Sequence, residues 1–507
     1  MKFRAYEWLA ACIAIAVGTG IAAVTADWSD AGVAVLVTAA ILLLAIVASY
    51  RWLRDPLSPL MLVLLTFFIL YVLRPGFILS TRMFGPTTKR AEIALGLDAQ
   101  EAMVSALGLV VLGLFGLLLG FVAWIQLSRG GAEVSPDTVR VRSSAVQERS
   151  WAVVGLVILG LLVAGWAYFT LIASVGGIGA YVEALSQRSG FFFGRGYLNL
   201  AALPLKVVTL LLFCHAISAD RVSGFRKALI GALIVAVLIG DFLSGGRAAI
   251  LTGTMVPLVV IYHYVRQRLS LVALGALAVV ALLMFVSVRV ITRDAVYAGE
   301  SKGSSDAAAL TLEAFKNLPE TTVGGQEAIP FDSLLVLRLQ AERGLDIQYG
   351  ATYLPIFTFP IPRSIWENKP LGGGNAWFTQ TFFPRFFGPQ KTETSISMIG
   401  EAYANFGRVG VPIVLFLFGM GLGIARWSLG RVTTPRGMVT YAVTVGYSIN
   451  IVRGDAFQSV TRYALTVGLV WTFALLMQQR SRFVGAQPAV GRSAAVELSG
   501  RQLPSSS

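Results

Sequence analysis

Charge is what this chain has least of: Asp, Glu, Lys and Arg make up 13% of its 507 residues, about half the share of a soluble domain. Cysteine and histidine occur twice each. Cys12 and Cys214 both lie inside apolar segments, which excludes a disulfide framework and suits packing residues. His215 and His263 sit near the ends of apolar runs that the charge pattern below assigns to the cytoplasm, so neither is placed to act as a base on the opposite face. No Asp-x-Asp pair and no cluster of His, Cys, Asp and Glu with metal-ligand spacing occurs. A phosphate-binding P-loop and a dinucleotide fingerprint are also missing. A nucleotide-driven cytoplasmic engine is therefore not expected.

What is abundant is hydrophobic surface, at 56% of residues. Runs of about 20 apolar residues match the hydrocarbon thickness of a bilayer, and only helices satisfy the backbone there. Twelve spans are expected, near 8–25, 31–50, 57–73, 102–127, 151–174, 201–219, 228–243, 248–265, 269–291, 409–428, 437–452 and 456–477. Lys2 and Arg4 followed by an apolar stretch also fit a signal peptide ending near Ala26; the run from Trp8 to Thr25 is longer than a usual signal core, and a retained first helix is expected.

The net charge of +14 does not gather on one face, as a nucleic-acid surface would require. It sits in clusters between the apolar runs: Arg51 and Arg54; Arg129, Arg140, Arg142 and Arg149; Arg221, Arg226 and Lys227; Arg266 and Arg268; Arg431 and Arg436; and Arg480, Arg482, Arg492 and Arg501. With both termini in the cytoplasm, every inner loop is basic, as the positive-inside rule demands. The segment 74–98, with Arg74, Arg82, Lys89 and Arg90, is an exception on the outer side. The expected organisation is nine helices over 1–291, a large outer loop over 292–408, three helices over 409–479 and a disordered cytoplasmic tail over 480–507. Within the loop, 306–318 and 331–343 have the period of amphipathic helices.

The span centres are almost free of charge, and ionisable residues such as Asp241, Arg247, Arg289, Arg453 and Asp455 stand at outer ends. An ion-coupled transporter keeps such groups at membrane depth, so a site at the outer face is favoured over a conduit. In Ser244-Gly245-Gly246-Arg247 the glycines leave backbone N–H groups approachable and the arginine offers a planar fork of donors. That pair suits a diphosphate; the alternative is an arginine snorkelling to a lipid phosphate. Arg188 and Arg195, also beside glycines, follow the same logic. Ile361-Pro362-Arg363-Ser364-Ile365-Trp366, followed by Glu367-Asn368-Lys369-Pro370, is either a rigid interfacial loop or one that aims Arg363 and Lys369 and offers Trp366 as a face for a sugar. In Gly400-Glu401-Ala402-Tyr403-Ala404-Asn405-Phe406-Gly407, Glu401 and Asn405 share a helix face. Glu401 is either a general base for a sugar hydroxyl or a structural partner of a nearby arginine.

The ordered set of Gly-Gly-Arg after a mid-chain span, Tyr349-Gly350 through Ile361-Pro362-Arg363 with Trp366 and Lys369-Pro370, and Gly-Glu-Ala-Tyr-x-Asn-Phe-Gly before a late span resembles the oligosaccharide repeat-unit polymerases (O-antigen polymerase, Wzy type) of bacterial surface polysaccharide synthesis. The likeness covers about 170–410. It implies an all-α polytopic membrane protein with the C-type glycosyltransferase fold, in the bacterial inner membrane. It implies donor and acceptor glycans on undecaprenyl diphosphate and no metal or other cofactor. A chain-length regulator joins the lipid-linked glycans and the bilayer as an implied partner. On this likeness Glu401, Arg247 and Arg363 are the catalytic candidates, and Arg188, Arg195, Trp366, Lys369, Tyr403 and Asn405 the substrate-binding ones. The related ligases use an outer-face histidine, which this sequence does not offer.

The topology carries its own test. Ala145→Cys and Gly485→Cys should resist an impermeant thiol reagent in intact cells, while Ser305→Cys should react. Labelling at 145 with protection at 305 would invert the orientation.

Overall fold

The computed structural model describes residues 31–81, 88, 99–128, 150–185, 191, 196–219, 222–244, 247–266, 268–289, 329–361, 365–366, 369, 372–384 and 393–477. Among them every regular element is a helix. The expected span at 8–25, the amphipathic stretch at 306–318 and the tail lie outside the described residues, as do Arg188, Arg195, Arg363 and the side chain of Arg247.

The chain opens with α1 (Ala31–Leu53) and α2 (Pro59–Thr81), followed by α3 (Ala99–Leu127) and α4 (Ser150–Ala173). Two short helices, α5 (Ile178–Ala184) and α6 (Gly196–Leu200), lead to α7 (Leu203–Ser218) and α8 (Gly224–Leu243). Helix α9 spans 247–265 with a π-turn at Leu251–Met255, and α10 is Leu271–Arg289. Then come α11 (Ile329–Ala341), the short α12 (Leu354–Thr358) and α13 (Gly374–Phe382), and three long helices: α14 (Met398–Leu429), α15 (Pro435–Arg453) and α16 (Ala456–Met477). Local signals set the boundaries. Ser58, Ser223 and Thr434 each cap a helix by accepting an N–H three residues on, and proline occupies the first turn of α2 and α15.

Among the described residues six helices are long and apolar enough to cross a membrane: α1, α2, α3, α4, α14 and α16. The chain is a multi-pass membrane protein. Five further expected spans also form helices, α7, α8, α9, α10 and α15, but these are shorter, more charged or less apolar.

Among the described residues two large packed groups make up the bundle, with a small third one joining α4, α5 and α6. One core joins α1, α2, α3, α11 and α14; the other joins α4, α7, α8, α9, α15 and α16. In the first, α3 and α14 touch backbone to backbone. A methyl group at Gly116 or Gly120 of α3 would run into the carbonyls of Pro412 or Phe416, and one at Gly419 of α14 into that of Leu117. Small residues permit such close approach where lipid supplies no hydrophobic drive for helices to associate. Gly446 of α15 makes the same approach to Thr252 in the π-turn of α9.

Several buried charges among the described helices meet an opposite charge, which offsets the cost of their burial. At one end, Arg426 near the close of α14 meets Asp55 in the α1–α2 link at 2.7 Å, and the Tyr264 hydroxyl donates to the same carboxylate. At the opposite end Arg74 of α2 holds Asp332 of α11 through both carboxylate oxygens, at 2.8 and 3.1 Å. Lys206 of α7 meets Asp241 of α8 at 2.7 Å, at this same end. Helix α11 thus departs from the amphipathic expectation for 331–343: Pro330 through Leu339 are all buried. Its polar side chains are satisfied inside the bundle, Asp332 by Arg74 and Thr88, and Arg338 by Ser105 and Tyr403.

The α3–α14 contact gives a sign test on one helix. Alanine normally stabilises a helix over glycine by roughly 0.5–1 kcal/mol. Gly421, with open space around its would-be Cβ, should show that gain. Gly419→Ala, aimed at the Leu117 carbonyl, should instead cost about 1–3 kcal/mol. Thermal unfolding in detergent should move in opposite directions for the two variants.

Candidate functional site

Helix α14 begins at Ser397, whose hydroxyl accepts the Gly400 N–H at 3.1 Å. Ser397 holds φ +69°, a conformation rare outside glycine. Nearly three turns on, Gly407 at φ +67° breaks the helical path, and Pro412 follows. The short leading piece of α14 carries Glu401, Tyr403 and Asn405.

Glu401 and Asn405 share one face and are buried. Asn405 binds the loop before α12: its side-chain oxygen accepts the Gly350 N–H at 3.0 Å, and its amide donates to Thr352 Oγ1 at 2.7 Å and to the Glu401 carbonyl at 2.8 Å. Thr352 passes the connection on, donating its hydroxyl to Glu401 Oε1 at 2.8 Å. The other Glu401 oxygen accepts the Ala456 N–H at 2.8 Å, the first residue of α16. The Gly374 N–H, at the start of α13, is a further donor to this carboxylate.

Asp455 stands beside it. It caps α16 by accepting the Gln458 N–H at 3.0 Å, and its second oxygen accepts the Asn375 N–H at 3.1 Å. Two buried carboxylates therefore sit where the N-termini of α13 and α16 converge. Helix N-termini carry unsatisfied N–H groups and a positive partial charge. Burial pushes the Asp455 carboxyl above the usual carboxylate range, opposed by the N–H donors of Asn375 and Gln458 and by the charge of Arg462. Burial and the Glu401 carboxylate likewise push the Tyr353 hydroxyl up.

The glycine run Gly372-Gly373-Gly374 explains the close fit. A Cβ at Gly374 would stand 2.8 Å from Glu401 Oε1, and one at Gly373 2.8 Å from Asp455 Oδ2. Only glycine lets the backbone lie this near both acids.

Two expectations for Glu401 are answered differently. Among the described residues it has no arginine partner; its charge is met by a hydroxyl and backbone N–H groups. It is 1% exposed with both oxygens engaged, so in this arrangement its hydrogen bonds tie the surrounding loops together. The geometry is that of a positioning group. Tyr403 is separated from Glu401 and Asn405. Two residues along a helix turn the side chain about 200° away, and Tyr403 points to Arg338 of α11, whose guanidinium bonds its hydroxyl and covers its ring at 5.3 Å. Lys369 is engaged within its own loop, donating to the carbonyls of Phe359 at 3.1 Å and Ile361 at 2.9 Å. Trp366 is half-buried in the turn that Lys369 closes.

No protein-family model, curated protein or solved structure matches the chain.

Sequence reasoning named Asp455 only as a charge at a helix end, and it missed Thr352, the glycine run 372–374 and the buried Lys206. The glycine triplet followed by Asn375 was the usable signal, since three consecutive glycines mark a close backbone approach. Among the described residues no three of His, Cys, Asp and Glu come together as a metal set.

Glu401→Gln tests the positioning role. The amide presents N–H where donors now converge, leaving one buried donor unmatched at a cost of about 1–3 kcal/mol. Unfolding temperature in detergent should fall, and Thr352→Val should fall in the same direction. An unchanged unfolding temperature for Glu401→Gln would leave the base role standing.

Proposed function

We propose that this chain is a repeat-unit polymerase of the membrane, joining oligosaccharides carried on undecaprenyl diphosphate into a surface polysaccharide. The observation that carries the reading is the meeting of two motif segments that lie far apart in sequence. The stretch beginning at Tyr349-Gly350 and the stretch Gly400–Gly407 join through Asn405, Thr352 and Glu401 into one buried polar node at the end of the bundle. In a glycosyl transfer the acceptor hydroxyl forms a bond to the anomeric carbon of the donor chain. The bond from that carbon to the diphosphate breaks, the lipid diphosphate leaves with the electron pair, and the proton of the hydroxyl passes to the departing diphosphate.

In this reading Glu401 and Asp455 hold the loops that shape the site rather than touching the reacting atoms. Arg247 and Arg363 remain the candidates to receive the leaving diphosphate. Arg247 opens α9 beside the Lys206–Asp241 pair, and Lys206 Nζ lies 3.5 Å from the Ala249 carbonyl in the same turn. The orientation, with both termini in the cytoplasm and the site on the outer face of the inner membrane, belongs to the same proposal, as does the count of twelve spans.

One observation favours a second reading, a transporter of lipid-linked or free polysaccharide. The Lys206–Asp241 pair, with the Thr254 hydroxyl 2.6 Å from Asp241, is buried between helices. Ionisable groups inside a bundle often mark a transport path.

Deleting the gene separates the two. A polymerase defect leaves single repeat units on their normal acceptor; a transport defect leaves them on the cytoplasmic face. Arg247→Lys keeps the charge and loses the paired donors. It should lengthen no chains at normal rate, with a loss of about a hundredfold, the ~3 kcal/mol typical of one transition-state donor. Normal polymer length at normal protein level would remove Arg247 from the mechanism.

A further inference from the structure

The segment 347–361, with Ile365 beyond it, is built inside out. Along it Thr352, Pro355 and Thr358 are buried, while Tyr349, Leu354, Phe357, Ile361 and Ile365 stand at the surface. Phe357 is 77% and Ile365 78% exposed. A water-facing turn of this spacing would place the threonines out and the aromatics in. Apolar groups clustered at a surface mark a contact with something apolar.

What that is follows from where the patch leads. On α14, Val409, Ile413 and Leu417 form an exposed apolar stripe at helical spacing, on a helix long and apolar enough to cross the membrane. The segment runs straight into the head of this stripe. The Tyr353 ring stacks on Phe406 with centroids 6.1 Å apart and planes 21° apart, and Ile347 lies against Gly407. Backbone N–H groups of Gln348 and Tyr349 donate to the Ala404 and Asn405 carbonyls at 3.0 and 2.9 Å, which fixes the segment to α14. Lys369 ties the far end, bonding the carbonyls of Phe359 and Ile361. The polar residues Glu342, Arg343 and Asp346 precede the patch and are exposed, so the apolar surface begins after a wetted turn.

We propose that residues 347–361 lie in the bilayer interface together with Ile365, with Leu354, Phe357, Ile361 and Ile365 among the acyl chains of the leaflet at that end of the bundle. The segment is then a re-entrant lipid contact, and not part of a water-exposed loop. A short amphipathic element with aromatic and aliphatic residues on one face binds this way. The polar node at Glu401 is thereby held close to the depth of the lipid headgroups. The inference does not depend on the reaction proposed above.

Spin labels on the full chain test it, in vesicles of phosphatidylethanolamine and phosphatidylglycerol and with Cys12→Ala and Cys214→Ala removing the native thiols. Labels are placed by Phe357→Cys and by Ile365→Cys, both surface positions whose replacement disturbs little packing. Ile413→Cys serves as the lipid reference and Asp346→Cys as the water reference. Labels at 357 and 365 should collide with oxygen more than with a water-soluble nickel chelate, matching 413 and opposite to 346. A pattern at 357 and 365 like that of 346 overturns the proposal. Exclusion of both reagents, as under a covering protein surface, overturns it too.

Discussion

Helix α14 lies against α3 along a row of glycines, close enough that the carbonyls of one helix fill the space where side chains of the other would be. That contact fixes the height of α14 in the bundle, because a shift along the axis would drive Leu117 or Phe416 into a neighbour larger than glycine. The height of α14 in turn fixes both of its ends. Arg426 is presented to Asp55 at one end, and the leading turns with Glu401 and Asn405 are presented to the loops at the other. Gly407 lets those leading turns leave the helical path without giving up the packing behind them.

The buried charges act as fasteners at the ends of helices whose sides are uniformly apolar. An apolar side gives little resistance to sliding or rotation in lipid, where it meets the same surroundings on every face. A buried ion pair supplies the resistance, since separating it leaves an uncompensated charge, at about 3–5 kcal/mol. Asp55–Arg426 registers α1 and α2 against α14 within the first group. Arg74–Asp332 seats α11 among them. Lys206–Asp241 performs the same task in the second group, next to the π-turn in α9.

Helix positions were legible because apolar runs of membrane length have few other solutions, and each expected span among the described residues is helical. The pairing of Glu401 with Asn405 was legible from their spacing alone. The partner of Tyr403, Arg338 of α11, was not legible, because membership of a motif says nothing about which side of a helix a residue takes. Segment 331–343 was read as half-exposed because Asp332 and Arg338 gave it polar periodicity; their partners, Arg74, Ser105 and Tyr403, come from distant parts of the chain that periodicity does not report. Lys206 escaped notice because a lysine after Leu203-Pro204-Leu205 looks like an ordinary helix boundary. Thr352 carries no signal of type at all; its hydroxyl matters only through what it touches.

The donors around Glu401 and Asp455 have a consequence for how such a protein can change over time. Most belong to the main chain, at Gly374, Asn375, Ala456 and Gln458. A main-chain N–H survives replacement of its residue by any other except proline. The two acids are therefore held by groups whose side-chain identity is largely free to drift, within the space the glycines leave. Distant descendants of this chain can keep the same arrangement while sharing few letters around it, and the acids themselves, with the glycines pressed against them, are the part that a comparison of sequences would retain.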